Sequence, residues 1–263
     1  MPEYKHISPE SELAGFAPVT LEEMAAVKLM NRIDSKYLTD EATLLPLLRD
    51  ARDAGYRVLV TNDARIAQYD TMYYDTSGLQ MFLDHHNRRL TRQKVRTRIY
   101  VGSGLAFLEI KRKNNHGRTK KKRMQIPVDE FKAFASDAGA AEYLATRSDF
   151  SATQLSPSLE TIFRRITLVN PSMTERLTID TCLGFSNPRN AREACLKNGV
   201  IIELKQDGHA PSRMKQILLD HRVKPIRVSK YCIGVTLTDR DVKSNRFKLK
   251  IRKIEKQINN KLI

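Results

Sequence analysis

The chain has 263 residues, 41% of them hydrophobic, with 46 Lys and Arg against 30 Asp and Glu, a net charge of +16. That length and apolar share can build a core in one large or two small domains, and ordinary Gly and Pro counts exclude a wholly disordered chain. The cationic surplus favours an anionic partner. No apolar run reaches the roughly 18 residues of a membrane span, and no signal peptide is read, so a soluble, cytoplasmic protein is expected.

In chain order, residues 1–20 read as an arm without periodicity. Thr20 followed by Glu23 is a capping-box pattern that opens a short helix, "TLEEMAAVKLM". "NRIDSKYLT" reads as a strand. "DEATLLPLLRDARDAG" reads as a helix capped by Asp40 and closed near Gly55, with Pro46 marking a kink or a later start. "YRVLV" and "RIAQYDTMYYDT" are strands, and "SGLQMFLDHHNRR" is a short helix or ordered loop. A hairpin, "KVRTRIYVGSGLAFLEIKRK", follows, then a strand in "GRTKKKRMQIP" and a helical pattern from Val128 to Ala145. "LETIFRRITLV", "ERLTIDTCLGF" and "GVIIELKQD" are strands, "APSRMKQILLDH" a helix, and "VSKYCIGVTL" a short helix or turn. The organisation expected is a single domain over 1–240, with its core at 21–240, and a basic amphipathic helix at 241–263. Eight or nine strands are counted, and no repeat is visible. Cys182, Cys195 and Cys232 lack metal-ligand spacing and suit a reducing compartment.

Along the strands, charge alternates with the period-two pleat. Lys94, Arg96, Arg98 and Tyr100 share one face of the hairpin, and Glu109, Lys111 and Lys113 share one face of its second arm. Arg32, Asp34 and Lys36 do so in the first long strand. Thr161, Phe163, Arg165 and Thr167 form a further set, as do Arg176, Thr178 and Asp180, and then Glu203 and Lys205. In "KKKRMQIP", Met124 and Ile126 define the apolar side, which leaves Lys121, Arg123 and Gln125 on the polar one. A wet outer face is the ordinary explanation of such alternation. Here, however, Arg and Lys dominate, and cations repel at cross-strand distance unless an anion joins them. If the apolar faces pack outward against helices, the polar faces line a closed barrel able to hold an extended polyanion. Glu109, Asp180 and Glu203 on those faces either form internal salt bridges or hold a divalent ion that bridges phosphate oxygens.

The pieces "NRIDSKY", "YYDT", "KVRTRIY", "FLEIKRK", "FRRITL", "RLTID", "IIELK" and "SKY", in that order from Asn31 to Tyr231, resemble the VTC domain. This is the polyphosphate polymerase branch of the triphosphate tunnel metalloenzymes. The resemblance implies an α+β fold: an eight-stranded antiparallel β-barrel tunnel with helices packed outside. It implies transfer of the ATP γ-phosphate to a growing polyphosphate chain with Mn²⁺ or Mg²⁺. Lys36, Arg96, Arg98, Lys111, Arg165 and Lys230 then stand at catalytic positions. Arg32 and Arg176 stand at phosphate-binding ones, joined on the same polar face by Lys121 and Arg123. Glu203 matches the metal-holding glutamate, and Glu109 is the second metal candidate. Tyr37, Tyr74 and Tyr231 belong to the motifs as packing residues. Two departures stand out. Phe163 replaces a tyrosine near the phosphates, and Arg32 occupies the place of the first glutamate in the wider superfamily's paired-glutamate strand motif.

Other classes compete with this reading. A triphosphate or polyphosphate hydrolase would share the fold, and a non-catalytic polyphosphate or nucleotide sensor would share the cations. Nucleic-acid binding is disfavoured by a 7% aromatic share and no Trp. The terminal helix is either a solvated helix packed by Phe247, Leu249, Ile251, Ile254 and Ile258, or a docking helix for a membrane-embedded partner at the inner face of the cell membrane.

Overall fold

The computed structural model describes residues 8–25, 32–208 and 211–262. The arm folds into helix α1 (Glu10–Ala14) and strand β1 (Ala17–Val19), followed by α2 (Leu21–Ala25). The Thr20–Glu23 capping box forms with both reciprocal bonds, at 2.8 and 3.2 Å. The rest of the helix expected after Ala25, and Asn31 of the first strand motif, lie outside the described residues. Next come β2 (Arg32–Asp40), α3 (Glu41–Asp53), β3 (Arg57–Leu59), β4 (Ala67–Asp75) and α4 (Gln80–His86). Asp40 caps α3 by accepting from the Thr43 amide at 2.7 Å. The hairpin is β5 (Arg92–Tyr100) and β6 (Leu105–Lys113), followed by β7 (Thr119–Ile126). The helical pattern expected from Val128 breaks into two 3₁₀ turns, and only Ala138–Ala145 (α5), capped by Asp137, is α-helical. The second half of the chain holds β8 (Ser156–Val169), β9 (Glu175–Asn187), β10 (Arg192–Leu196) and β11 (Gly199–Asp207). Helices α6 (Arg213–Asp220), α7 (Lys230–Thr238) and α8 (Asn245–Ile258) close it.

The strands form one sheet of 11, with eight in the order β2-β11-β9-β8-β4-β5-β6-β7. The eight-stranded antiparallel path agrees with expectation, but the closed barrel does not: among the described residues, β2 and β7 are not paired. Each edge is blocked locally. Beside β2, Ile226 donates its amide to the Lys36 carbonyl at 2.8 Å, and Pro225 bridges Tyr37. On β7, Lys120, Lys121, Lys122 and Arg123 are all exposed, a charged edge that resists further pairing. The sheet is nonetheless strongly curled. Five ladder steps of about 4.8 Å would hold β6 and β11 some 24 Å apart in a flat sheet, yet the Glu203 carboxylate on β11 acts on the Lys111 ammonium on β6.

The convex side carries two cores. One joins α3 and α6 to Ile166, Leu168, Leu177, Ile179, Ile202 and Leu204; the other packs Phe131, Phe134 and Leu144 on Val95, Leu108 and Ile110. A third core lies on the concave side, where α7 and α8 cover Leu38, Tyr73, Leu159, Leu183, Phe185 and Ile201. A bulge makes this possible. The β8–β9 register slips between Ile162 and Arg164, and Cys182 takes φ 52°. The extra residue changes which parity faces inward, so Asp180 and Phe185 lie on the same side of β9. One part of the concave face is therefore polar and the other apolar, and α7 plugs the apolar part. The stripe of α8 is spent here too: Phe247, Ile251, Ile254 and Ile258 are buried. Leu249, expected in that stripe, points away and is 71% exposed. Among the described residues, no helix is long and apolar enough to cross a membrane.

Candidate active site

The polar part of the concave face gathers side chains from β2, β4–β9 and β11, with α7 supplying Lys230. The ladder registers set them opposite one another: Lys94 with Lys111, Lys111 with Lys121, Arg96 with Glu109, Glu109 with Arg123, Lys36 with Glu203, and Arg165 with Asp180. Three carboxylates, the buried Glu109 and Asp180 and the half-buried Glu203, organise the cations. Glu109 accepts from Arg96 Nε at 2.7 Å and Nη2 at 2.5 Å, and from Lys121 Nζ at 2.7 Å. Asp180 takes the fork of Arg165, Nε at 2.5 Å and Nη2 at 2.8 Å, and also the Lys230 ammonium. Glu203 accepts from Lys36 on one oxygen and from Lys205 at 2.6 Å on the other. Burial alone would raise all three carboxyls. The neighbouring cations, Arg96 at Glu109, Arg165 at Asp180 and Lys205 at Glu203, outweigh it and hold each well below the usual carboxylate range.

The remaining cations outnumber these acids. Among the described residues, Lys94, Arg98, Lys111 and Arg123 have no carboxylate within ion-pair distance. Arg98 is 7% exposed and donates only to Thr71 Oγ1 at 3.0 Å. Lys94 donates to Ser229 Oγ at 2.8 Å, and Arg123 lies 4.8 Å from the centre of the Phe107 ring. Mutual repulsion and burial disfavour the charged forms of Lys111 and Arg98. Arg96 above all, then burial and Arg98, pull the Lys111 ammonium well below its ordinary value. Burial and the charge of Arg96 lower the Arg98 guanidinium. Aromatic faces supply part of the compensation: Arg98 stands 5.3 Å from the centre of Tyr69 and 5.7 Å from that of Phe163, which stack on each other. Lys230 begins α7 just after its cap, Ser229, so the positive end of that helix adds to the same field.

Of the residues singled out from sequence, Lys36, Arg96, Arg98, Lys111, Lys121, Arg123, Arg165, Lys230, Glu109 and Glu203 meet on this face. Arg176 lies farther along, half-buried opposite Lys205 in the β9–β11 register. The side chain of Arg32 is outside the described residues. Tyr37, Tyr74 and Tyr231 are buried, and Tyr231 donates to Asp75 at 2.5 Å, pinning α7 to β4. Sequence reasoning passed over Lys94, Lys205 and Thr178 as site residues, although each shares a charged face. It also missed Tyr73, whose hydroxyl accepts from Arg96 Nη1 at 3.1 Å. Burial would raise that phenol, but Arg96, Arg98 and Lys94 outweigh it and lower its pKa.

A divalent ion would have hard oxygen donors at one place. Thr178 stands directly opposite Glu203 in the β9–β11 register, and its buried Oγ1 has no hydrogen-bond partner among the described residues. Glu203 keeps 20% of its side chain accessible; Glu109 has none. No group of three or more His, Cys, Asp or Glu gathers among the described residues, so such an ion would complete its shell with substrate oxygens and water.

Solved structures similar to this chain include a Hippeastrum protein named for adenylyl cyclase and described as having a dominant triphosphatase activity. It shows 14% identity over 78% of this chain and 95% of that one, at a TM-score of 0.48. A Vibrio parahaemolyticus protein named for adenylate cyclase shows 10% identity over 77% and 96%, at 0.46. A Pyrococcus horikoshii protein shows 14% over 78% and 96%, at 0.45. No curated protein sequence matches significantly. The model of the VTC domain matches residues 31–238, most of the chain and all of the curled sheet except β1, and the chain belongs to the VTC domain family.

Proposed function

We propose that the chain is a polyphosphate polymerase that moves the γ-phosphoryl group of ATP onto a polyphosphate chain held along the concave face. The observation that carries this reading is the burial of Arg98 with no carboxylate partner, on the same face as the half-buried Lys111, which also lacks one. Unpaired buried cations are costly, by several kcal/mol per ion in general, and an enclosed polyanion is the ligand that relieves them. In this reading Arg98, Lys111 and Arg96 hold the phosphates from one wall, and Lys230 and Arg165 from the other. Lys36 and Arg176 extend the contact along β2 and β9. Phosphoryl transfer asks chiefly for in-line positioning and neutralisation of charge. An acceptor phosphate is already ionised, so no general base is required, and the three carboxylates of the face are engaged by cations. Glu203 with Thr178 would hold Mn²⁺ or Mg²⁺, which when bound shields the phosphate oxygens.

The test is incubation of the purified chain with ATP and Mn²⁺, with product length read on a gel. Long chains support the polymerase. Orthophosphate alone would replace it with a hydrolase, and binding of tripolyphosphate without turnover would replace it with a sensor.

A further inference from the structure

A second basic site lies outside the concave face. The strand end of the β5–β6–β7 hairpins, with α4 on one side and residues 147–150 on the other, encloses a cleft of about 610 Å³. Its acids are already engaged: Asp84 pairs with Arg89 at 3.2 Å and Asp149 with Arg112 at 2.7 Å. Among the described residues, Arg92, Lys113, Arg118, Lys120 and Lys122, which all line the cleft, have no acidic partner. Two of them join this cleft to the concave face. Arg92 and Lys113 pair in the ladder one concave position beyond the Lys94–Lys111 pair. The cations at that rim are close enough to act together on one side chain: burial first, then Lys94, Arg92, Lys250 and Lys113, drive the half-buried His85 imidazole down to about 3.

We infer that this cleft is an outer binding track for the polyphosphate chain, continuous with the concave face through the Lys94–Lys111 and Arg92–Lys113 steps. The arrangement suits an extended phosphoanhydride polymer better than a compact anion. The unpaired cations follow one another along a strand end, over a turn and up an edge strand, and cationic side chains at successive positions match a ligand with a charge on every repeat. Phe150 and Ile110 supply the apolar part of the lining. Held there, a chain of more than a few phosphates stays attached while its end is reset on the concave face, so the track sets product length and leaves the transfer step itself unaltered.

This inference rests on the polymerase reading, and the experiment separates the two. The full chain and an Arg118→Gln/Lys120→Gln/Lys122→Gln variant are titrated with tripolyphosphate and with long-chain polyphosphate, and their products from ATP are compared on a gel. These exposed edge and turn positions take no part in the concave site. The expected result is unchanged tripolyphosphate binding and ATP consumption, long-chain affinity lower by about tenfold with a shallower salt dependence, and shorter products. Equal long-chain affinity in parent and variant overturns the track. So does a loss confined to vesicles containing anionic phospholipid, or to single-stranded RNA, with polyphosphate binding kept. Failure of the parent to bind tripolyphosphate overturns the concave-site reading instead, and the long-chain comparison still decides the cleft.

Discussion

Lys230, the first residue of α7, donates to Asp180 and stands 3.1 Å from the centre of the Phe163 ring. The plug helix thus delivers a cation onto an aromatic floor already bordered by Arg165, which keeps its own fork on Asp180. Burial above all pulls the Lys230 ammonium well below its ordinary value, although Asp180 opposes this. Lys230→Met fills nearly the same space and leaves Asp180 paired with Arg165. ATP turnover should fall by about two decades, in line with one lost charge-stabilising contact, while the melting temperature changes little. Full activity in this variant would remove α7 from the site.

Arg98 gives a prediction of opposite signs. Its guanidinium is buried without a carboxylate, so it opposes folding when no anion is bound. Arg98→Met should raise the melting temperature of the free protein and lower turnover by about two to three decades. Thermal melts with and without tripolyphosphate check it. The anion should stabilise the parent more than the variant.

Glu203 separates metal affinity from anion affinity. Glu203→Gln should raise the Mn²⁺ concentration needed for turnover. It should also tighten metal-free tripolyphosphate binding, because Lys36 and Lys205 are then less offset. Calorimetric titration with and without Mn²⁺ reads both. If neither moves, Glu203 is only the partner of its two lysines.

Asp70 governs a pH effect on the convex side. Burial, then the neighbouring Glu160, raise its carboxyl from 3.8 to about 6. With the folded value above the unfolded one, its favourable contribution is complete below about 3.8 and is lost as pH rises through about 6. Asp70→Asn should therefore stabilise the fold at pH 7, by about 1 kcal/mol once solvent screening of this half-buried group is allowed for. The advantage should shrink as pH falls and vanish below pH ~4. Urea melts across that window check the sign. Glu109 and Asp180 run the other way. Their depressed values contribute stability above the ordinary carboxylate range that disappears only as acid overcomes Arg96 and Arg165.

Gly234 lets α7 seat against the sheet. A methyl group there would collide with Leu159 and come within 2.6 Å of the Phe185 ring. Both neighbours are buried and leave no room to shift. Overpacking of about 1–3 kcal/mol should exceed the roughly 1 kcal/mol that Ala gains over Gly in a helix. Gly234→Ala is expected to lower the melting temperature and, by lifting Lys230, to weaken tripolyphosphate binding.

Which residues share a face within β2, β5, β6, β7 and β11 was legible in the chain itself, because the pleat has period two and the charges follow it without interruption. The caps at Thr20 and Asp40 were equally local, each a short side chain one turn from its target. Other features depended on distant partners. The bulge at Cys182, which puts Asp180 and Phe185 on one side, follows from the pairing of β9 with β8; no hydrophobic pattern within β9 announces it. The short β1 and β10 are strands only because β3 and β9 lie beside them. The barrel stays open because Pro225 and Ile226, almost two hundred residues after β2, occupy its edge. Alternation assigned the cations to a face, but only folding determined which of them the three carboxylates would satisfy. Ion pairing depends on distances between strands far apart in sequence, and it is those distances that leave Arg98 and Lys111 without a carboxylate among the described residues.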